Sequence, residues 1–586
     1  MATATTCPDR PLAAPHRLRA PHPLRALLAS LCLFFAPAMA GAATPQFNYL
    51  LHCGGCHIED GSGMANVVPD LNEDLGYFAN FPEGRAYLVR VPGASHSPLS
   101  DADLAEVMNW MLRTFAAADA PEPYSEAEVT AHRHVRMNDA QAVRRQLLDL
   151  KARPDAETSS VSYGNESHGK ASHDNMPMPQ AAADPVSSAA PQPRPLPMPV
   201  SMPMPMPLSD AQQLALGEAL FFDTSLSRFG NQACASCHDP GRAFADPRSL
   251  TSSAGGSIGS DGTSIGHRNA PALTYIATTP AFSLHDTTQT VQPTRRQANA
   301  AIVASPADRI RGGFFWDGRE PTLAQQVLTP FINPGEMGLQ DLSELAARVS
   351  DTARYQDIFG KQATHLPEPY VLGSIADSLA AYLRSDTFNT YDSRYDRFVR
   401  GELTPTTQEA VGMGLFFSPG FTNCASCHQA TPTGYAPGEP FTNHRYENIG
   451  TPVNRALLAN TDLGEQFRDA GLGHNPALTE AFEPADVNGR FKVPSLRNVA
   501  VSGPYMHNGA FADLDTVMRF YNHYNESGSS GQINPETGQP WAASNHPDGV
   551  ATDKLSGGFP LSDRQLAALT AFLRMLTDQR YEHLLP

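Results

Sequence analysis

Apolar residues at Leu104, Val107, Met108, Met111 and Leu112 recur at the three- and four-residue spacing of a single helical face, and Ser100 with Asp103 forms a capping pattern at its start. The same periodicity predicts helices over Val371–Arg384 and Ser562–Leu576, the latter opened by Leu561-Ser562-Asp563 much as the first is by Leu99-Ser100-Asp101. Residues 124–152 read as helical with one basic face, a tail to the first unit. Alternation of period two is scarce, so the predicted class is mainly α. Two stretches lack either period. The apolar run Leu27–Phe35 follows Arg10, Arg17, Arg19 and Arg25 and precedes Ala38-Met39-Ala40. That is the layout of a cleaved secretory signal over residues 1–40, and the run is too short for a comfortable membrane span. Residues 153–207 pass from polar sequence into Pro-Met alternation, which predicts an extended polyproline-II linker. Its thioethers are also a conceivable Cu(I) ligand set, but the Pro alternation already accounts for a linker.

Beyond the linker the chain repeats itself. Gly217-Glu218-Ala219-Leu220-Phe221-Phe222 leads to Cys-Ala-Ser-Cys-His at 234–238, and Gly412-Met413-Gly414-Leu415-Phe416-Phe417 leads to the same pentapeptide at 424–428. Each half closes with one of the predicted helices. The expected organisation is therefore a signal (1–40), an N-terminal domain (41–152), the linker (153–207) and two fused repeat domains (208–395 and 396–586). A chain of 586 residues is too long for one core, which agrees with several domains.

The chemistry lies in three copies of Cys-x-x-Cys-His: Cys53, Cys56 and His57; Cys234, Cys237 and His238; Cys424, Cys427 and His428. Two thiols at this spacing reach the two vinyl groups at one porphyrin edge, and the histidine becomes the proximal iron ligand. Zinc sites or a thioredoxin-like pair would need further ligands, or a lone pair beside a strand–helix–strand pattern, and neither is present. Three covalent haems c are expected. Of eight cysteines only Cys7 and Cys32 lie outside the motifs, both in the predicted signal. The net charge of -18 argues against a nucleic-acid partner and is compatible with steering a basic protein partner or with a plain solvated surface.

Leu216–Asp223, Ala233–Pro240, Arg268-Asn269-Ala270-Pro271, Gly313–Arg319 and Phe491–Phe511 together resemble the bacterial di-haem cytochrome c peroxidase and MauG family across roughly residues 208–580. The resemblance implies that the haem at His238 meets peroxide. Gln326, Pro330 and Glu336, at the family's spacing, would line its distal side, and Trp316 would lie between the two haems. Heterolysis of peroxide needs a group to take a proton from one oxygen and return it to the other, which a carboxylate can do with an amide as orienting donor. The resemblance also implies a calcium ion at Asn269 and the carbonyls of Ser502 and Pro504, with Ser502 in place of the more usual Thr.

Two departures from the family pattern matter. Ser260 stands where many family peroxidases carry a distal histidine, with His267 too near the calcium segment to take that part. The pocket is thus expected to stand open. Fourteen residues after His507 of Tyr505-Met506-His507-Asn508-Gly509, the peroxidases place a Met and MauG-like members a Tyr; here the residue is Tyr521. Met518, a turn away, is the rival ligand. A phenolate favours oxidised iron, whereas a thioether favours reduced iron. For the first haem, His96 is the candidate opposite His57, with Met64 as runner-up and a surface histidine as the plain alternative.

The expectation is a periplasmic, mainly α oxidoreductase with three cytochrome c-like haem domains, acting on hydrogen peroxide. Electrons would come from a donor protein or the quinol pool, with the first haem as a tethered inlet. A protein substrate, as in MauG-like chemistry, is the alternative; a plain multi-haem electron carrier is a third reading.

Overall fold

The computed structural model describes residues 44–152 and 207–586, apart from 65–67, 117–120, 138, 251–255, 285–305, 360–365, 419–421, 432–434, 479–481, 527–529 and 557. The predicted signal and all of the linker but Pro207 lie outside the described residues. Helices dominate, and the described strands form only two short antiparallel pairs: Tyr446–Glu447 with Phe491–Lys492, and Ile533–Asn534 with Gln539–Pro540. No helix among the described residues is long and apolar enough to cross a membrane.

Three helix pairs organise the chain, one around each pentapeptide. In the first, Pro45–His52 packs on Asp101–Phe115, with the buried Tyr49 ring 4.9 Å from Trp110 and 5.3 Å from Phe115. Ser100 caps the second helix by accepting from the Asp103 amide at 3.1 Å, as its sequence predicts. In the middle pair, Asp210–Phe221 packs on Glu368–Leu383; in the last, Thr407–Phe416 packs on Asp563–Met575. Close contact in both later pairs needs a glycine. A Cβ on Gly217 would overlap the Ser378 carbonyl oxygen, and one on Gly412 the Ala568 carbonyl oxygen.

The tail of the first unit folds back on it as helices Glu126–Arg133 and Ala140–Ala152. Its basic face is used for pairing: Arg133 meets Asp101 at 2.8 Å and Arg144 meets Asp74 at 2.5 Å. From the body of the unit, Arg85 reaches Glu128 at 2.6 Å.

The tethered arrangement expected for the first unit is corrected by the packing. Its buried Leu50 and Leu51 belong to one apolar core with Val411, Leu415, Leu569 and Leu573 of the last domain. Burying such side chains contributes about 1.5–3 kcal/mol each, so the first unit is docked on the last domain. The middle domain has a separate core built from residues such as Leu216, Phe221, Leu345, Ile375 and Leu379.

Candidate active site

The three pentapeptides form tight turns, and their histidines share one device. Nδ1 of His57, His238 and His428 hydrogen-bonds to the carbonyls of Pro69, Phe244 and Phe441 at 3.2, 3.0 and 3.2 Å. Such a bond fixes the ring and its tautomer and leaves Nε2 as the nitrogen for iron. Burial keeps the rings neutral, as ligation requires: it pushes His57 and His428 down to about 4 and lowers His238 as well. The six cysteines of the motifs are unpaired and half-buried. These residues fit a covalent haem at each motif.

The segment from Gln326 to Leu339, expected to line the distal side of the His238 site, closes on itself. Met337 N–H donates to the Pro330 carbonyl at 3.2 Å, Glu336 N–H to the Asn333 carbonyl at 3.0 Å, and Leu339 N–H to the Phe331 carbonyl at 2.8 Å. Pro330 and Glu336 are thereby brought together, and Gln326 lies half-buried on the short helix Leu323–Gln326 just before them. Burial pushes the Glu336 carboxyl above its ordinary range, while the Arg319 guanidinium and the Asn333 side chain pull the other way. Burial raises the Cys234 and Cys237 thiols, and the Glu336 charge adds to the rise at both, so the carboxyl lies within electrostatic reach of the attachment pair.

Ser260 is buried against this segment. Its N–H donates to the Glu336 carbonyl at 2.8 Å, its hydroxyl to the Met337 carbonyl at 3.2 Å, and Asn231 Nδ2 donates to its own carbonyl at 2.9 Å. These three bonds hold the loop that carries Ser260 in place. His267 lies elsewhere, its Nε2 3.9 Å from Asp469.

Trp316 stands at the junction of the two later domains. Its indole N–H donates to the Asn269 carbonyl at 2.9 Å, and its own carbonyl accepts from Lys492 N–H at 2.8 Å. Sequence reasoning missed the arginine that braces this junction. Arg268 reaches Asp317 at 2.6 Å and grips both oxygens of Asp469 at 2.6 and 2.7 Å. Its signal was present in Arg268-Asn269 and Trp316-Asp317, motifs that were read for their neighbours alone. Of the three calcium-site residues, Asn269 and Pro504 meet directly, the Asn269 amide donating to the Pro504 carbonyl at 2.6 Å. Ser502 lies two residues before Pro504. A cation there would require the Asn269 side-chain oxygen to turn to this side.

At the third site Tyr521 is half-buried. Burial, followed by the charges of Cys427 and Cys424, raises its phenol. Met518 packs against the apolar core. At the first site His96 is exposed and its Nδ1 is bonded to the Pro92 carbonyl at 3.0 Å, the orienting bond seen at the proximal histidines. Met64 pairs with Val68, next to the carbonyl of Pro69 that holds His57, and its sulfur accepts from Gln565 at 3.3 Å. Both His96 and Met64 therefore remain candidates for the side opposite His57.

The fold and this residue set define a haem peroxidase of the c type. The profile of di-haem cytochrome c peroxidase matches residues 211–404. The chain is 43% identical over 381 residues to the methylamine utilization protein MauG of Paracoccus denitrificans, covering 64% of this chain and 91% of that one. It is 28% identical over 317 residues to cytochrome c peroxidase Ccp of Escherichia coli, covering 54% of each. Among solved structures, the diheme peroxidase BthA of Burkholderia thailandensis matches with a TM-score of 0.52 and 31% identity, over 65% of this chain and 89% of that one. The chain belongs to the di-haem cytochrome c peroxidase and MauG family, oxidoreductases acting on peroxide.

Proposed function

We propose that the protein is a periplasmic three-haem peroxidase that reduces hydrogen peroxide with electrons passed through its own haems. Haem bound at Cys234, Cys237 and His238 would supply an iron at which peroxide binds and is reduced. Glu336 would take a proton at one peroxide oxygen and deliver it to the other, with Gln326 and Pro330 shaping the pocket. Trp316 would pass electrons between the two later domains, and Tyr521 would ligate the iron held by His428. The observation that carries this reading is a half-buried Glu336 within electrostatic reach of Cys234 and Cys237, beside a pinned Ser260. A calcium ion at Asn269, Ser502 and Pro504 would stiffen the junction under Trp316, and chelation should then lower the melting temperature.

Steady-state peroxide consumption with a reduced small cytochrome c tests the reading: the wild type should turn over and Glu336→Gln should not. Two features favour a second reading, peroxide-dependent oxidation of side chains on a protein partner: Tyr521 at the ligand position and the 43% identity to a MauG. It is supported if cytochrome oxidation fails while peroxide modifies a co-purifying protein. A mature N-terminus just after Ala40 in a periplasmic fraction would support the location.

A further inference from the structure

The first unit lies N-terminal to the part shared with the family, and its seat on the last domain is built in detail. The turn Gly54–His57 lies on the helix Thr407–Phe416 so closely that a Cβ on Gly55 would sit 3.2 Å from the Leu415 amide nitrogen, and one on Gly54 would sit 3.5 Å from the Val411 side chain. Gly414 faces the Leu51 carbonyl oxygen with a Cβ separation of 2.5 Å. One buried polar side chain crosses the seam. Gln565, whose oxygen is held by Ser562 N–H and hydroxyl at 3.0 and 2.9 Å, donates to the Gly55 carbonyl at 3.1 Å and the Met64 sulfur at 3.3 Å. At the rim Arg564 pairs with Glu59 and, at 3.3 Å, with Asp60. Close backbone approach, a satisfied buried amide and a charged rim are the anatomy of a specific interface.

Aromatic rings continue from this seam to the last haem site. His52, next to Cys53, meets Tyr435 edge-on with centroids 6.2 Å apart; Tyr435 meets Phe417 at 4.9 Å, and Phe417 meets Phe441 at 6.4 Å. Phe441 is the residue whose carbonyl holds His428. We propose that this seam is a permanent electron-entry junction, across which electrons pass from the first haem site to the His428 site with Tyr435 as the bridging side chain. The proposal deepens the peroxidase reading and rests on it for the direction of flow. Each transfer moves one electron, oxidising the first site as the His428 site is reduced. Two such electrons, with two protons, reduce one peroxide to two waters. The reductant is an external one-electron donor.

Pulsed electron paramagnetic resonance on the full-length ferric holoprotein, together with pulse-radiolysis reduction in the absence of peroxide, tests this apart from peroxidase activity. The wild type should give one narrow distance between the first and third haem sites and rapid electron redistribution between them. Arg564→Glu with Gln565→Leu should broaden that distance and slow redistribution by about tenfold or more, as the docked arrangement is exchanged for a linker-limited one. Tyr435→Leu should slow redistribution severalfold at unchanged distance and unchanged potentials, and Tyr435→Phe should restore it. A broad distance in the wild type, or redistribution that stays fast when the seam opens, would overturn the junction; unchanged rates in Tyr435→Leu would remove the bridge. Should the double variant fail to fold, the two Tyr435 variants still decide. Rapid redistribution in a protein without peroxide turnover would uphold the junction while defeating the peroxidase reading.

Discussion

Gly217 meets the Ser378 carbonyl in the middle domain as Gly412 meets the Ala568 carbonyl in the last. Phe244, at φ 57°, holds His238 through its carbonyl, as Phe441, at φ 55°, holds His428. A non-glycine residue in this left-handed region costs on the order of 1–3 kcal/mol and persists where its surroundings over-determine it. Here the surroundings are aromatic: Phe244 packs on Phe221 and Phe388, and Phe441 on Phe416 and Phe572. The proximal half of each haem site is thus one structure made twice. The residues beyond it are not repeated: the middle domain has Glu336 and the pinned Ser260, and the last has Tyr521. The histidine-holding scaffold is duplicated, and the proposed separation of chemistry rests on these differing residues.

The comparison breaks hardest at Glu336. Glu336→Gln keeps shape and removes the proton acceptor, so peroxide reduction should fall by about 10²–10⁴-fold, the usual worth of a positioned acid–base group. Haem content and the spectrum of the His428 site should not change. The carboxyl must be ionised to accept a proton, and burial raises its pKa. Activity should therefore rise with pH along a limb lying above the ordinary carboxylate range, and that limb should vanish in the variant. A limb retained in Glu336→Gln would assign the proton to another group.

On the other side the same logic applies to Tyr521. Tyr521→Met replaces a hard oxygen donor with a thioether, so the potential of the His428 site should rise while that of the His238 site hardly moves, as read by spectroelectrochemical titration. An equal shift at both sites would mean that Tyr521 acts through the shared junction instead of on one iron. Next in size are the glycines. Gly217→Ala and Gly412→Ala each force a methyl against a carbonyl and should cost about 1–3 kcal/mol of stability. Denaturant melts should show similar losses from both, because the two crossings are alike. Very different losses would show that the duplicated helix pairs are not energetically equivalent.

Much of this was legible in the sequence because covalent haem attachment leaves a local signature. Three pentapeptides, the repeated Gly…Phe-Phe helix and the capped closing helices are all short-range patterns, and the helices fell within a few residues of their predicted limits. The docking of the first unit was not legible. Gln565, Gly55 and Gly414 act across hundreds of residues, and no periodicity marks a glycine that makes room for another segment. Arg268 illustrates the same limit: its partners Asp317 and Asp469 are found only once the chain has folded.

The smallest effect tests what the residue at position 260 does to the middle pocket. Ser260 is held chiefly by its backbone, through its own N–H to Glu336 and its carbonyl from Asn231, with one side-chain bond to the Met337 carbonyl. Removing that hydroxyl in Ser260→Ala should cost about 0.5–1.5 kcal/mol, the net worth of a typical hydrogen bond. The high-spin signal and peroxide rate should be unchanged. Ser260→His, on the same fixed backbone, offers the missing ligand and should convert the site to a low-spin, peroxide-slow form that reduction reopens. If the alanine variant alone closed the site, openness would depend on the hydroxyl. If the histidine variant stayed high-spin, the loop would be aimed away from the iron, and the absence of a histidine would not be what keeps this half reactive.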